Sequence, residues 1–191
     1  MEFLREILNL HIPIDSDNWD LLSTQLIVKE VNAGEYINKA NEICDFIGFV
    51  NKGAFRAFYL NDEGVETSLL LNSKSEFITD YESYITGKLS KLNIQAIEDS
   101  ELILLPKKAL DELYETSFYW NKFGRLVAEN VYLNCKKRTE ELLFLTPEKR
   151  YLKLMDEHPE FFQKYPLRYI SSYLGITPQS LSRIRARLAS H

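Results

Sequence analysis

The side chains best suited to chemistry lie near the C-terminal end, in GITPQSLSRIRARL. Gln179, Ser180, Ser182 and Arg183 follow Thr177 within two helical turns, with Arg185 and Arg187 beyond them. Arginine can pair in bidentate fashion with guanine O6 and N7, glutamine can do the same with adenine, and serine hydroxyls serve bases or phosphates. A good bidentate pair discriminates by about 1–3 kcal/mol. Arg185 and Arg187 are better placed for phosphates, which supply affinity and salt dependence without sequence. An amphipathic basic helix is also an ordinary solvated surface, so the surrounding elements have to decide between these readings.

Those elements have a definite pattern. LRYISSYL reads as a short helix, Gly175 permits the left-handed turn that ends it, and Thr177 is the expected cap of a last helix with Pro178 at its first position. Leu181, Ile184 and Leu188 then share one side and are expected to pack on Ile170 and Leu174. Gln179, Ser182, Arg183 and Ser180 are left outward. Two short helices joined by a tight turn form a helix-turn-helix pattern, whose second helix enters the major groove. The charge is skewed in the same direction. Residues 161–191 carry Lys164, Arg168, Arg183, Arg185 and Arg187 and no acid. Setting these five aside from the chain's 23 bases leaves 18 against 28 acids, a balance of −10, in 1–160. Such an asymmetry fits one end meeting a polyanion.

Upstream the texture changes twice. From Ile27 to Pro106, short runs such as FIGFV, AFRAFYL and ETSLLL are broken by NAGEYI, NKG, NDEG, LNSKSE and EDSE. Turns this brief cannot hold crossover helices, so the pattern is an antiparallel sandwich or barrel. Residues 1–25 read as two helical pieces, the second capped by Asp17. After Lys107, KKALDELYET makes one helix, and SFYWNKFGRLVAENVYLNCKKRTEELLFL makes a longer one stopped at Thr146-Pro147. Phe123, Val127, Val131 and Cys135 recur at steps of four, continued by Leu142 and Leu145. A helix of some two dozen residues is about 36 Å long. That exceeds what its own core needs, so part of the stripe is expected to pair with a second copy. PEKRYLKLMDEH follows as a further helix.

Other chemistries find little support. Cys44 and Cys135 stand far apart, which fits a reducing cytosol and a cytoplasmic protein, and with three scattered histidines they offer no metal site. The N-terminal MEFLREILNL reads as neither a secretory signal nor a membrane span. Gly-rich phosphate loops, G-x-S-x-G, H-E-x-x-H and Cys-His pairs are missing from the sequence, so no catalytic residue is expected.

Taken in order, these pieces resemble the Crp/Fnr family of bacterial transcription regulators. VNAGEYI resembles that family's early Gly-Glu turn, FIGFVNKGAFRAFYLNDEG its central hairpin, and IQAIEDSELILLPK the strands leading into its helices. EELLFLTPEKRYLKLM resembles the end of the dimerisation helix with its hinge, and YISSYLGITPQSLSRIRARL the helix-turn-helix. The resemblance implies an α+β fold: an N-terminal antiparallel β-roll, jelly-roll-like and of cyclic-nucleotide-binding type, a long dimerisation helix and an all-α helix-turn-helix domain. Its parts would be 1–116, 117–146 and 147–191. It implies a homodimer on double-stranded DNA, with RNA polymerase as a further partner and no membrane. Gln179 and Arg183 would take base-reading positions, with half-sites roughly 34 Å apart.

Three departures qualify that picture. The stretch matching the nucleotide pocket is SEFITDYESYITGKLSKLNIQA, where Glu76 follows Ser75 and the phosphate pair reads Ser90-Lys91, without the arginine fork a cyclic phosphate needs. Cys135-Lys136 stands where the long helix would meet the base. Glu76, Ser90, Lys91 and Cys135 are therefore the candidate ligand-binding residues, yet cyclic AMP or GMP is not expected, and neither a cofactor nor a metal is implied. Pro178 replaces a usually polar first reading position. The chain also ends at His191, where family members commonly continue into a β-wing. A second reading remains open on this ground: a ligand-sensing or partner-binding module with a vestigial DNA-binding domain.

Overall fold

A computed structural model describes residues 1–189. Two helices open the chain, α1 (Glu2–His11) and α2 (Ser16–Ser23). The cap of α2 is Asp15 and not the expected Asp17: the Asp15 carboxylate accepts from the Asn18 amide at 2.8 Å. Asp17 instead lies in the first turn, where a negative charge suits the helix dipole. Leu4 and Leu8 of α1 and Trp19 and Leu22 of α2 are buried against Phe49, Ile103 and Trp120.

Eight strands follow: β1 (Ile27–Val31), β2 (Tyr36–Asn38), β3 (Phe46–Lys52), β4 (Ala54–Leu60), β5 (Glu66–Ser73), β6 (Phe77–Ile78), β7 (Asn93–Ala96) and β8 (Ser100–Pro106). Every pairing among them is antiparallel, in two four-stranded sheets ordered β1-β8-β3-β6 and β2-β7-β4-β5. Inward-facing Val31, Val50, Phe55, Ile78, Ile94 and Leu102 fill the space between the sheets. The Lys52-Gly53 turn joining β3 to β4 depends on glycine: Gly53 has φ +98°, and a Cβ there would lie 2.0 Å from Ser100 Oγ.

One short helix inside this region was not expected. Between β6 and β7 runs α3 (Tyr81–Thr86), capped by Asp80 and ended by Gly87 at φ +68°. Six residues are too few for a helical period to stand out from neighbouring strands.

The remaining helices are α4 (Lys107–Thr116), α5 (Phe118–Phe144), α6 (Pro147–Glu157), α7 (Phe161–Lys164), α8 (Leu167–Tyr173) and α9 (Pro178–Ala189). The long α5 divides its apolar residues between two environments. Trp120 and Phe123 are buried in the core shared with α1 and α2, joined by Leu126 and Val127. Beyond them Tyr132, Leu133, Cys135, Leu142, Leu143 and Phe144 are exposed. The helices α6 to α9 share a core of Tyr151, Leu154, Phe161, Tyr165, Ile170, Leu174, Leu181 and Ile184, which extends onto Ala54 and Leu71 of the roll. The expected α+β arrangement of antiparallel roll, long helix and helical C-terminal region is thereby found. The expectation that no β-wing follows α9 falls on residues 190–191, outside the described residues.

Candidate nucleic-acid interface

The turn between α8 and α9 is built as its residues require. Gly175 takes φ +66°, its amide donates to Ser172 O at 3.0 Å, and the Ile176 amide donates to Ser171 O at 3.0 Å. Thr177 Oγ1 accepts the Ser180 amide at 3.2 Å and lies 3.0 Å from Ser180 Oγ, which satisfies the first turn of α9. The hydroxyls of Thr177 and Ser180 are thus engaged with one another. Leu181 and Ile184 are buried against Ile170 and Leu174, with Leu188 at the margin. Gln179, Ser182 and Arg183 are exposed on the opposite side of α9.

The basic residues behind that face divide unevenly. Arg187 is ion-paired with Glu148 of α6, and Lys164 is ion-paired with Glu98 at 3.0 Å. Acids of the first 160 residues therefore form ion pairs with two of the five bases beyond them. Arg183 and Arg185 make no ion pair among the described residues, and Arg185 borders a shallow groove lined by Tyr151, Leu152 and Met155 of α6.

Two arginines that the sequence reading did not single out hold the far end of α8. Arg138 of α5 donates to Tyr173 O and lies over the Tyr173 ring at 4.0 Å, while Arg150 Nε donates to Leu174 O at 3.0 Å and Nη1 to Leu145 O at 2.6 Å. Terminal carbonyls of α8 that would otherwise lack partners are satisfied by cations, the charge their end of the helix dipole favours. The turn lies close to the long helix, so that a Cβ added at Gly175 would come within 3.3 Å of Leu142 Cδ2.

Among the described residues no hydrogen bond joins the candidate ligand residues to one another. Ser90 is buried; its hydroxyl donates to Asp80 at 2.6 Å and accepts from Asn38 Nδ2 at 3.0 Å and from the Leu92 amide at 2.9 Å. Glu76 has other partners. Its carboxylate accepts the Ser73 amide, it is within electrostatic reach of His158 and Glu160, and burial pushes its carboxyl above the usual range. Lys91 is exposed, and Cys135 is exposed on α5. The carboxylate beside Ser90 is thus Asp80, which the sequence reading passed over. Asp80 and Gly87 are the residue types that begin and end helices, but the six residues between them show no period that would mark α3. Tyr59 on β4 lies within reach of Asp80, Glu82 and Cys135; burial first, then the two carboxylates, raise its phenol above the ordinary value.

Among the described residues no cluster of three or more His, Cys, Asp or Glu could hold a metal ion, and no helix is long and apolar enough to cross a membrane.

Residues 28–117 match the family model of the cyclic nucleotide-binding domain. No curated protein matches the chain. Among solved structures, FixK2 from Bradyrhizobium japonicum is similar at TM-score 0.73 and 18% identity, covering 86% of this chain and 85% of its own. A putative transcriptional regulator of the Crp/Fnr family from Eubacterium rectale gives TM-score 0.73 at 18% identity, over 97% of this chain and 88% of that one. The c-di-GMP responsive global regulator CLP of Xanthomonas campestris gives TM-score 0.66 at 14% identity, covering 92% of each. At such identities the likeness is one of fold, and the Crp/Fnr resemblance read from the sequence is borne out at that level.

Proposed function

From a chain that carries a cyclic nucleotide-binding domain within the Crp/Fnr fold, we propose a dimeric DNA-binding transcriptional regulator that does not use cyclic AMP or GMP. The observation that carries the reading is the capped helix α9, whose Gln179, Ser182 and Arg183 stand exposed while Leu181 and Ile184 anchor it on α8. Gln179 and Arg183 read base edges, with Thr177, Ser180 and Ser182 beside them, and Arg185 and Arg187 meet phosphates. Residues 1–116 form the sensor roll, 117–146 the dimerisation helix and hinge, and 147–191 the DNA-binding domain. The reading is non-enzymatic and places the protein in the cytoplasm of a bacterium, with RNA polymerase as a downstream partner.

Fluorescence anisotropy on fragments of the source genome tests it. Binding is expected to weaken steeply with rising salt and to be lost in Arg183→Ala. Salt-insensitive binding, or full affinity in the variant, overturns the reading.

A further inference from the structure

The helices α7 and α8 are fastened to the roll through one edge of its second sheet, where β5 has no further strand beside it. Ser172 Oγ accepts the Ser68 amide at 2.9 Å and donates to Glu66 O at 3.2 Å, occupying backbone groups that an edge strand otherwise leaves open. The Tyr165 hydroxyl, fully inside, lies 2.7 Å from Asn72 O and 3.1 Å from Phe55 O. At the centre of this contact is Arg56 of β4, only 1% exposed. Its guanidinium is sandwiched between the Phe58 ring at 3.8 Å and the Tyr169 ring of α8 at 3.7 Å, and Nη2 donates to Glu66 at 2.7 Å.

A buried guanidinium is costly unless paired, and here one aromatic face comes from the roll and the other from α8. Moving α8 off the sheet would strip one face from the cation and open its unpartnered Nε to change. The stack therefore favours one angle of α8 on the roll. Because α9 is packed on α8 through Leu181 and Ile184, that angle is passed on to Gln179 and Arg183.

We propose that Arg56 and Tyr169 are positioning residues that fix the orientation of the reading helix on the roll, and through it the spacing between the two half-sites. This rests on the DNA-binding reading above. It does not require either residue to touch DNA.

Hydrogen exchange and DNA selection on the full chain test the two halves of the proposal separately. In Tyr169→Leu, which keeps bulk but removes the aromatic face, amides of 66–73 and 167–176 are expected to exchange roughly tenfold faster while β3 and β8 are unchanged. Tyr169→Phe keeps the face and should match the parent. Arg56→Met, altered from the other side, should repeat the Leu result and serves if Tyr169→Leu does not fold. Against a library of duplexes carrying inverted repeats with varied spacers, the parent should select one spacing, and Tyr169→Leu should bind while selecting a broader set. Unchanged exchange, a rise that extends equally to β3 and β8, or an unchanged spacer preference would each overturn the proposal. A parent protein that binds none of the duplexes sinks the DNA reading instead, and exchange alone then decides whether the stack locks α8.

Discussion

The Ser90 hydroxyl donates a 2.6 Å hydrogen bond to the Asp80 carboxylate, while Asn38 Nδ2 donates to Ser90 at 3.0 Å. The serine that stands in the expected phosphate pair is therefore already satisfied by an internal anion. A cyclic phosphate brought to it would meet the charge of Asp80 without an arginine to offset it, and would have to break this buried network. Cyclic AMP and cyclic GMP are expected to bind no tighter than ~1 mM, worth about −4 kcal/mol. Isothermal titration checks this, and a micromolar dissociation constant for either nucleotide contradicts it.

Arg187 is expected to meet a phosphate, yet in the free chain it is paired with Glu148. Contact with DNA then requires this pair to open. Glu148→Gln removes that charge without changing a residue of α9. Its affinity for DNA should rise, and the slope of log K against log salt should steepen by up to about 0.9, the share of one added phosphate contact. A salt titration identical to the parent would place Arg187 away from the DNA.

The exposed half of α5 makes the dimer testable. Val131 is half-buried and lies on the stripe with Phe123 and Val127, whereas Cys135 and Leu142 further along are exposed. A charge inside a paired helix seam is strongly unfavourable, so Val131→Glu should convert a dimer into a species near the 22.4 kDa of one chain. Sedimentation of parent and variant decides it. Equal masses remove α5 from the interface.

How far the sequence disclosed this architecture depended on the length of each signal. The 27-residue α5 was legible because helical recurrence persists over many residues, and the strands β3 to β5 because short apolar runs are bounded by turn residues. The turn at Gly175 and the cap at Thr177 were legible because both residue types have narrow conformational roles. Asp80 was not, since α3 is too short to show a period and its partner Ser90 lies ten residues on. Arg56 was equally hidden: a basic residue in a strand gives no hint that Tyr169, more than a hundred positions later, will cover it. Contacts of that kind arise only when the sheet edge and α8 meet.

Glu76 supplies a stability prediction whose sign follows from its surroundings. Burial pushes its carboxyl above the usual range, only partly offset by the Ser73 amide it accepts and the nearby His158, with Glu160 adding to the rise. Between the ordinary carboxylate value and the raised one, the folded chain holds a proton that the unfolded chain has released. Stability from this group is therefore fully present below the ordinary value and falls as pH rises through that window. Glu76→Gln removes the titration while its side-chain carbonyl can still accept the Ser73 amide. The variant should match the parent near pH 4, within the error of urea unfolding, and be the more stable of the two at pH 7. The reverse order at pH 7 would mean that the ionised carboxylate is a net favourable partner in the folded chain, which would place its hydrogen bond above its desolvation.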